Sequence, residues 1–208
     1  MAPNNAPKLT KGQRTAERVL DVAEELFADR GYDGTSLRQI AAGAGIREPG
    51  LYNHFPSKQA LYEAVLYRAL NPMAEVLARH LGTAPDLRTY TDLPGLMTDL
   101  LAEHPLIAAL FQQAMQGDRD SIGNRLMMTW LDQLFRQGLQ NLEESAPAKG
   151  VAREELALNV IAMFNLTTGY FLSQRAFDTM AAGSLQSPDN ILRQKALLRK
   201  MMRAMLVG

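Results

Sequence analysis

Thr35-Ser-Leu-Arg-Gln-Ile-Ala-Ala-Gly-Ala-Gly-Ile-Arg-Glu-Pro-Gly-Leu-Tyr-Asn-His-Phe55 decides the fold. Thr35 or Ser36 offers a side-chain oxygen to the free N–H groups of a helix start. Leu37, Ile40, Ala41 and Ala44 then recur at helical spacing as an inward face. Gly45 suits the left-handed bend of a tight turn. Ile46, Leu51 and Phe55 supply the inner face of the next helix. Two short helices joined by a glycine turn make a helix-turn-helix, whose second helix fits the DNA major groove.

Upstream, Val19, Val22, Ala23, Leu26 and Phe27 fall at three- and four-residue steps, so an amphipathic helix is expected from Thr15 to Arg30. Gly31-Tyr-Asp-Gly34 forms the turn after it. Three helices sharing a small core therefore occupy about residues 15–55. Ser57 caps a fourth helix from Lys58, with Leu61, Val65, Leu66 and Leu70 as its apolar stripe. Pro72 predicts a kink or break, because proline removes a helix hydrogen bond and disfavours helical geometry at Asn71.

Residues 82–94, rich in turn formers, read as a loop. Helices follow at about 95–103, 105–116, 119–143, 153–181 and 189–206, with no run of period two. The expected fold class is all-α. The expected organisation is a flexible arm over 1–13, a helix-turn-helix domain over 14–58 and a larger helical domain over 59–208.

Basic and acidic residues balance, 22 against 22, so any nucleic-acid signal is local. Residues 1–14 hold Lys8, Lys11 and Arg14 with no acid, and the arm is a candidate for phosphate or minor-groove contact, with an untethered, solvated tail as the alternative. The acids Glu17, Asp21, Glu24, Glu25 and Asp29 read mostly as a solvated helix face. With no cysteine, disulfides and thiolate chemistry are excluded. No apolar run reaches membrane-span length and no secretory signal is seen, so a cytoplasmic protein without membrane partners is expected. No catalytic constellation, phosphate loop or close histidine pair is present, so no enzyme activity, cofactor or metal is expected.

Three segments carry a family resemblance: Ala28-Asp-Arg-Gly-Tyr-Asp-Gly-Thr35, Ile40-Ala-Ala-Gly-Ala-Gly-Ile46 and Leu51-Tyr-Asn-His-Phe-Pro-Ser-Lys58. Over residues 15–62 the chain resembles the TetR family of bacterial transcriptional repressors. The remainder resembles it only in length and helical character. The resemblance implies a homodimer, a palindromic operator and a C-terminal domain that senses a small molecule.

Tyr52 and His54 resemble the family's phosphate-contacting pair. Lys58, with the free N–H groups of its helix start, reads as a phosphate site. Arg47 and Arg38 are candidates for guanine edges, with a phosphate contact or a plain solvated charge as the alternative. The family counterpart of Arg38 reaches DNA. Asn53 is a candidate for adenine, and Thr35 and Ser36 for phosphate. Two departures stand out: Arg47 replaces the usual small cap, and Gly50 occurs where a hydroxyl or methyl is common. Gly50 brings the backbone close to DNA without a base contact.

In the C-terminal part, Phe111, Met115, Met127, Trp130, Leu131, Phe164 and Thr168 are candidates to line an apolar ligand pocket, with an ordinary core as the plainer reading. Gln112, Gln113, Asn124, Asn165 and Thr168 are candidates to orient the ligand. The helices at 153–181 and 189–206 carry long apolar stripes, matching the family's four-helix dimer interface. The expected function is a repressor released from operator DNA by a small, largely apolar effector. A DNA-organising relative without a ligand, an all-α adaptor or enzyme, and activator rather than repressor action stay open.

Overall fold

The computed structural model describes residues 10–81, 87–116, 118–143 and 150–207. These residues form helices only. Lys8, the loop residues 82–86 and the break at 144–149 lie outside them.

Helix α1 (Lys11–Arg30) begins four residues before the expected Thr15. A capping box explains this: the Thr10 hydroxyl accepts from the Gln13 N–H at 3.2 Å, and the Gln13 carboxamide oxygen accepts from the Thr10 N–H at 2.8 Å. Lys11 and Arg14 therefore ride on a helix rather than in an arm. Gly31 closes α1 with φ 70°, and its N–H donates to the Phe27 carbonyl. Helix α2 (Leu37–Gly43) has the same device, with Ser36 as cap and Gln39 as its reciprocal partner. Gly45, at φ 66°, makes the turn.

Helix α3 (Glu48–Leu51) is shorter than expected. Arg47 provides no side-chain cap, and Phe55 precedes Pro56, which disfavours helical geometry there. One further turn persists, since the N–H groups of His54 and Phe55 both donate to the Leu51 carbonyl. Val19, Ala23, Phe27, Ile40, Leu51, Leu61 and Val65 are wholly buried and form the core of this head.

Helix α4 (Lys58–Leu81) runs through Pro72 as one element, so the expected break does not occur. Ala69, Leu70 and Met73 are buried on both sides of the proline, and packing of this kind overrides the lost hydrogen bond. Helix α5 (Leu87–Glu103) overturns the loop reading of 87–94. Its Gly95 faces α10 (Pro188–Val207), where a Cβ would lie 3.5 Å from the Lys195 Cε. Here the glycine serves close helix contact rather than a turn. Lys195 to Asp99 at 2.5 Å and Arg199 to Asp92 at 2.7 Å tie the same pair of helices.

Helices α6 (Leu106–Gln116) and α7 (Ile122–Glu143) follow close to expectation. The expected helix over 153–181 is two, α8 (Arg153–Phe171) and α9 (Gln174–Asp178). At the junction, the Ser173 hydroxyl donates to the Gly169 carbonyl at 2.6 Å, a bond that competes with helix continuation.

Candidate functional site

The head presents a polar face built by α2, α3 and the turn after it. Arg38, Arg47 and Asn53 are exposed, and Tyr52 is half exposed. His54 is partly buried. A Cβ on Gly50 would meet nothing within 4 Å, so the α3 backbone stands open to a ligand surface. Ser36 is exposed, with its hydroxyl engaged at the α2 cap. Thr35 departs from expectation. It is buried, and its hydroxyl lies 2.9 Å from the Gly31 carbonyl and 3.1 Å from the Leu26 carbonyl. Its side chain fastens the end of α1 and does not face outward.

Lys58 is held by an aromatic residue that sequence reasoning read only as part of a turn. Its Nζ lies 4.3 Å from the centroid of the Tyr32 ring, a cation–π contact. Burial pushes the Lys58 pKa down, and nearby Asp33 opposes that shift. Tyr32 in turn stacks on Phe27 at 6.0 Å and meets Tyr62 edge-on at 5.1 Å. Burial pushes the Tyr62 phenol up to about 12. Ser57 caps α4 as expected, its hydroxyl accepting from the Ala60 N–H at 3.0 Å.

The acidic face of α1 is only partly solvated. Arg68 of α4 reaches Asp21 at 2.7 Å, Glu24 at 2.5 Å and Glu17 at 3.4 Å. Burial acts to lower the Arg68 pKa, but its hydrogen bonds to Glu24 and Asp21 outweigh this and raise it.

Beyond the head, a cavity of about 790 Å³ opens between α4, α5, α7 and α8. Trp130, Phe164 and Thr168 border it as expected. Phe111, Met127 and Leu131 do not. They are buried in the packed core, where Phe111 backs Trp130 at 5.8 Å and Phe164 at 5.4 Å. The Met115 side chain lies outside the described residues. Sequence reasoning missed the contributions of α4 and α5, among them Glu63, Tyr67, Asn71 and Tyr90. The signal for α4 was present as the four-residue spacing of positions 63, 67 and 71 beside the apolar stripe. Of the expected orienting residues, Thr168 borders the cavity and the other four do not. Gln112 and Asn165 are exposed, Asn124 is buried away from this cavity, and the Gln113 amide donates to the Asp29 carbonyl at 3.1 Å.

Apolar side chains remain uncovered on the last long helices. Leu158, Ile161 and Leu166 of α8 and Leu192 and Leu197 of α10 are exposed. Among the described residues no helix is long and apolar enough to cross a membrane.

Comparison with known proteins places the head. Residues 19–65 match the family described as bacterial regulatory proteins, tetR family. The chain is 38% identical over 81 residues to the HTH-type transcriptional activator FasR of Mycolicibacterium smegmatis, covering 39% of this chain and 36% of that protein. It is 45% identical over 47 residues to IcaR of Staphylococcus aureus, the negative regulator of the biofilm operon icaADBC, covering 23% and 25% of the two chains. The chain thus matches about a third and a quarter of the lengths of these relatives. At the level of fold, it superposes on the transcriptional regulator FadR from Bacillus subtilis in complex with stearoyl-CoA with TM-score 0.67 and 14% identity, over 91% of this chain and 98% of that one. The match to the tetR family of bacterial regulatory proteins thus lies in the head, and the likeness to FadR shows that the whole chain shares that helical fold.

Proposed function

We propose that the chain is a transcriptional repressor that binds a palindromic operator as a homodimer and is released by a small, largely apolar effector. The observation that carries this reading is α4. It is one continuous helix with Lys58 beside the DNA-facing turn and Leu66, Leu70 and Ala74 on the cavity wall. A ligand that repositions the cavity end of such a rod repositions its DNA end as well.

The polar face supports the DNA half of the reading. Arg47, Arg38 and Asn53 are exposed for base edges or phosphates, and Tyr52, His54 and Lys58 border them as phosphate donors. Negative regulation has its precedent in IcaR, while FasR is an activator. The uncovered apolar residues of α8 and α10 support a symmetric dimer, whose two recognition helices then meet half-sites 34–36 Å or a multiple apart. The cavity volume supports a drug-sized ligand, within the usual range of roughly 300–1,000 Å³.

Selection of bound fragments from genomic DNA of the source organism tests the proposal. The expected product is one inverted repeat recovered in many overlapping fragments. Recovery of fragments with no shared repeat overturns it.

A further inference from the structure

A single carboxylate stands at the rim of a cavity walled by rings. Glu63, Tyr67 and Asn71 follow at four-residue steps along α4, and all three border the cavity. Among the described residues, Glu63 is the only charged side chain that does so. It is exposed at the rim, where the Gln59 amide donates to its Oε1 at 3.0 Å. Further in, the wall carries Tyr90, Trp130, Phe135 and Phe164, with Phe135 and Phe164 edge-to-face at 5.1 Å.

These groups select by charge. A cation leaving water for an apolar mouth loses hydration, and both a carboxylate and the negative face of an aromatic ring compensate it. An anionic head at the same rim meets the like charge of Glu63. A neutral head gains from neither effect. The apolar bulk of the cavity meanwhile requires an apolar or aromatic body.

Resting on the reading of this cavity as the effector site, we propose that the effector is an amphiphilic organic cation. Its apolar body lies among Tyr90, Trp130, Phe135 and Phe164, and its positively charged nitrogen sits at the Glu63 rim beside Tyr67.

Three probes with one tail separate head charge from apolar burial: decyltrimethylammonium, decanol and decanoate, each titrated into the full chain below micelle-forming concentration. Trp130 is the only tryptophan of the chain and borders the cavity, so its emission reads binding directly. The ammonium probe is expected to bind about fivefold tighter than the alcohol and at least about tenfold tighter than the carboxylate. In Glu63→Gln the preference for ammonium over carboxylate is expected to fall about threefold or more, with an unchanged helical circular dichroism spectrum. Equal or tighter binding of decanoate, or an unaltered preference in Glu63→Gln, overturns the charge assignment alone. Binding of none of the three by the folded protein overturns both the assignment and the effector reading of the cavity.

Discussion

Tyr32 of the head lies directly against Gly123 of α7: a Cβ at position 123 would come within 2.2 Å of the Tyr32 Cβ and 2.7 Å of its ring. The glycine is there for close approach, since any side chain would displace the ring. Tyr32 also carries Lys58 on its face, so the start of the cavity-lining helix α7 and the start of α4, where phosphate contact is proposed, share one aromatic residue. The bond from Gln113 to the Asp29 carbonyl fixes the same seam from α6.

Gly123→Ala is therefore expected to destabilise the fold by about 1–3 kcal/mol, the usual cost of overpacking, and to weaken DNA binding by moving Tyr32 and Lys58. Urea unfolding and operator titration check both effects. Gly50→Ala is the contrasting change. Its Cβ enters open space in a helical turn, so stability is expected to hold or rise by up to about 1 kcal/mol. A stable Gly123→Ala with unaltered DNA affinity contradicts the role given to the seam.

Arg68→Ala removes the cation shared by Glu17, Asp21 and Glu24. Glu24 is the most buried of the three acids, its side chain 14% exposed, and would be left facing Asp21 without a counter-charge. A loss of about 1–3 kcal/mol is expected, shrinking in high salt because the other two acids are largely solvated. Urea midpoints at low and high ionic strength measure it. A loss that does not vary with salt argues that Arg68 acts through packing instead.

Tyr62 makes stability fall at alkaline pH. Its folded-state pKa is raised from 10.0 to about 12 by burial, so the unfolded chain loses its proton first. The contribution is whole below pH 10.0 and is lost as pH rises from 10.0 to about 12. Two units correspond to about 3 kcal/mol at most. Tyr32, shifted in the same direction by burial, adds to the slope. In Tyr62→Phe the urea midpoint is expected to decline less steeply over this window. An equal slope rules Tyr62 out as its source.

The apolar faces of α8 and α10 predict that Ile161→Asp with Leu197→Asp yields a folded monomer. Both residues are exposed in the single chain, so the changes cost the protomer itself little. Sedimentation velocity is expected to show half the mass of the parent protein. Operator affinity is expected to fall by more than about tenfold, because two linked heads bind a palindrome far better than one. A parent protein that sediments as a monomer contradicts the dimer.

The head was legible because its rules are local. Ser36 caps through the residue three positions on, and Gly31 and Gly45 adopt the left-handed φ that their turns need, although the same capping device at Thr10 went unread. Other errors came where partners are distant in sequence. Gly95 looks like a turn former until α10 packs on it, and Pro72 looks like a break until the buried Leu70 and Met73 hold the helix together. Of the proposed contacts, the Thr35 side chain is turned inward because its hydroxyl finds the Leu26 carbonyl of α1 and the Gly31 carbonyl at its cap. The cavity was half legible. Trp130, Phe164 and Thr168 stood out by composition, but whether an apolar residue lines a void or fills the core depends on how α4 and α5 pack beside it, which is why Phe111, Met127 and Leu131 fell on the other side.

The central claim is that the exposed face of α2 and α3 reads double-stranded DNA. It is tested most directly by titrating the full chain against its selected fragment and against a scrambled duplex of equal length, for the parent protein and for Arg47→Ala, at several salt concentrations. The parent is expected to prefer its fragment by about a thousandfold or more, and Arg47→Ala to lose about 1–3 kcal/mol of that preference or, if Arg47 meets phosphate, to weaken both duplexes alike with a shallower salt slope. Equal affinity of the folded parent for both duplexes at every salt concentration would contradict the claim.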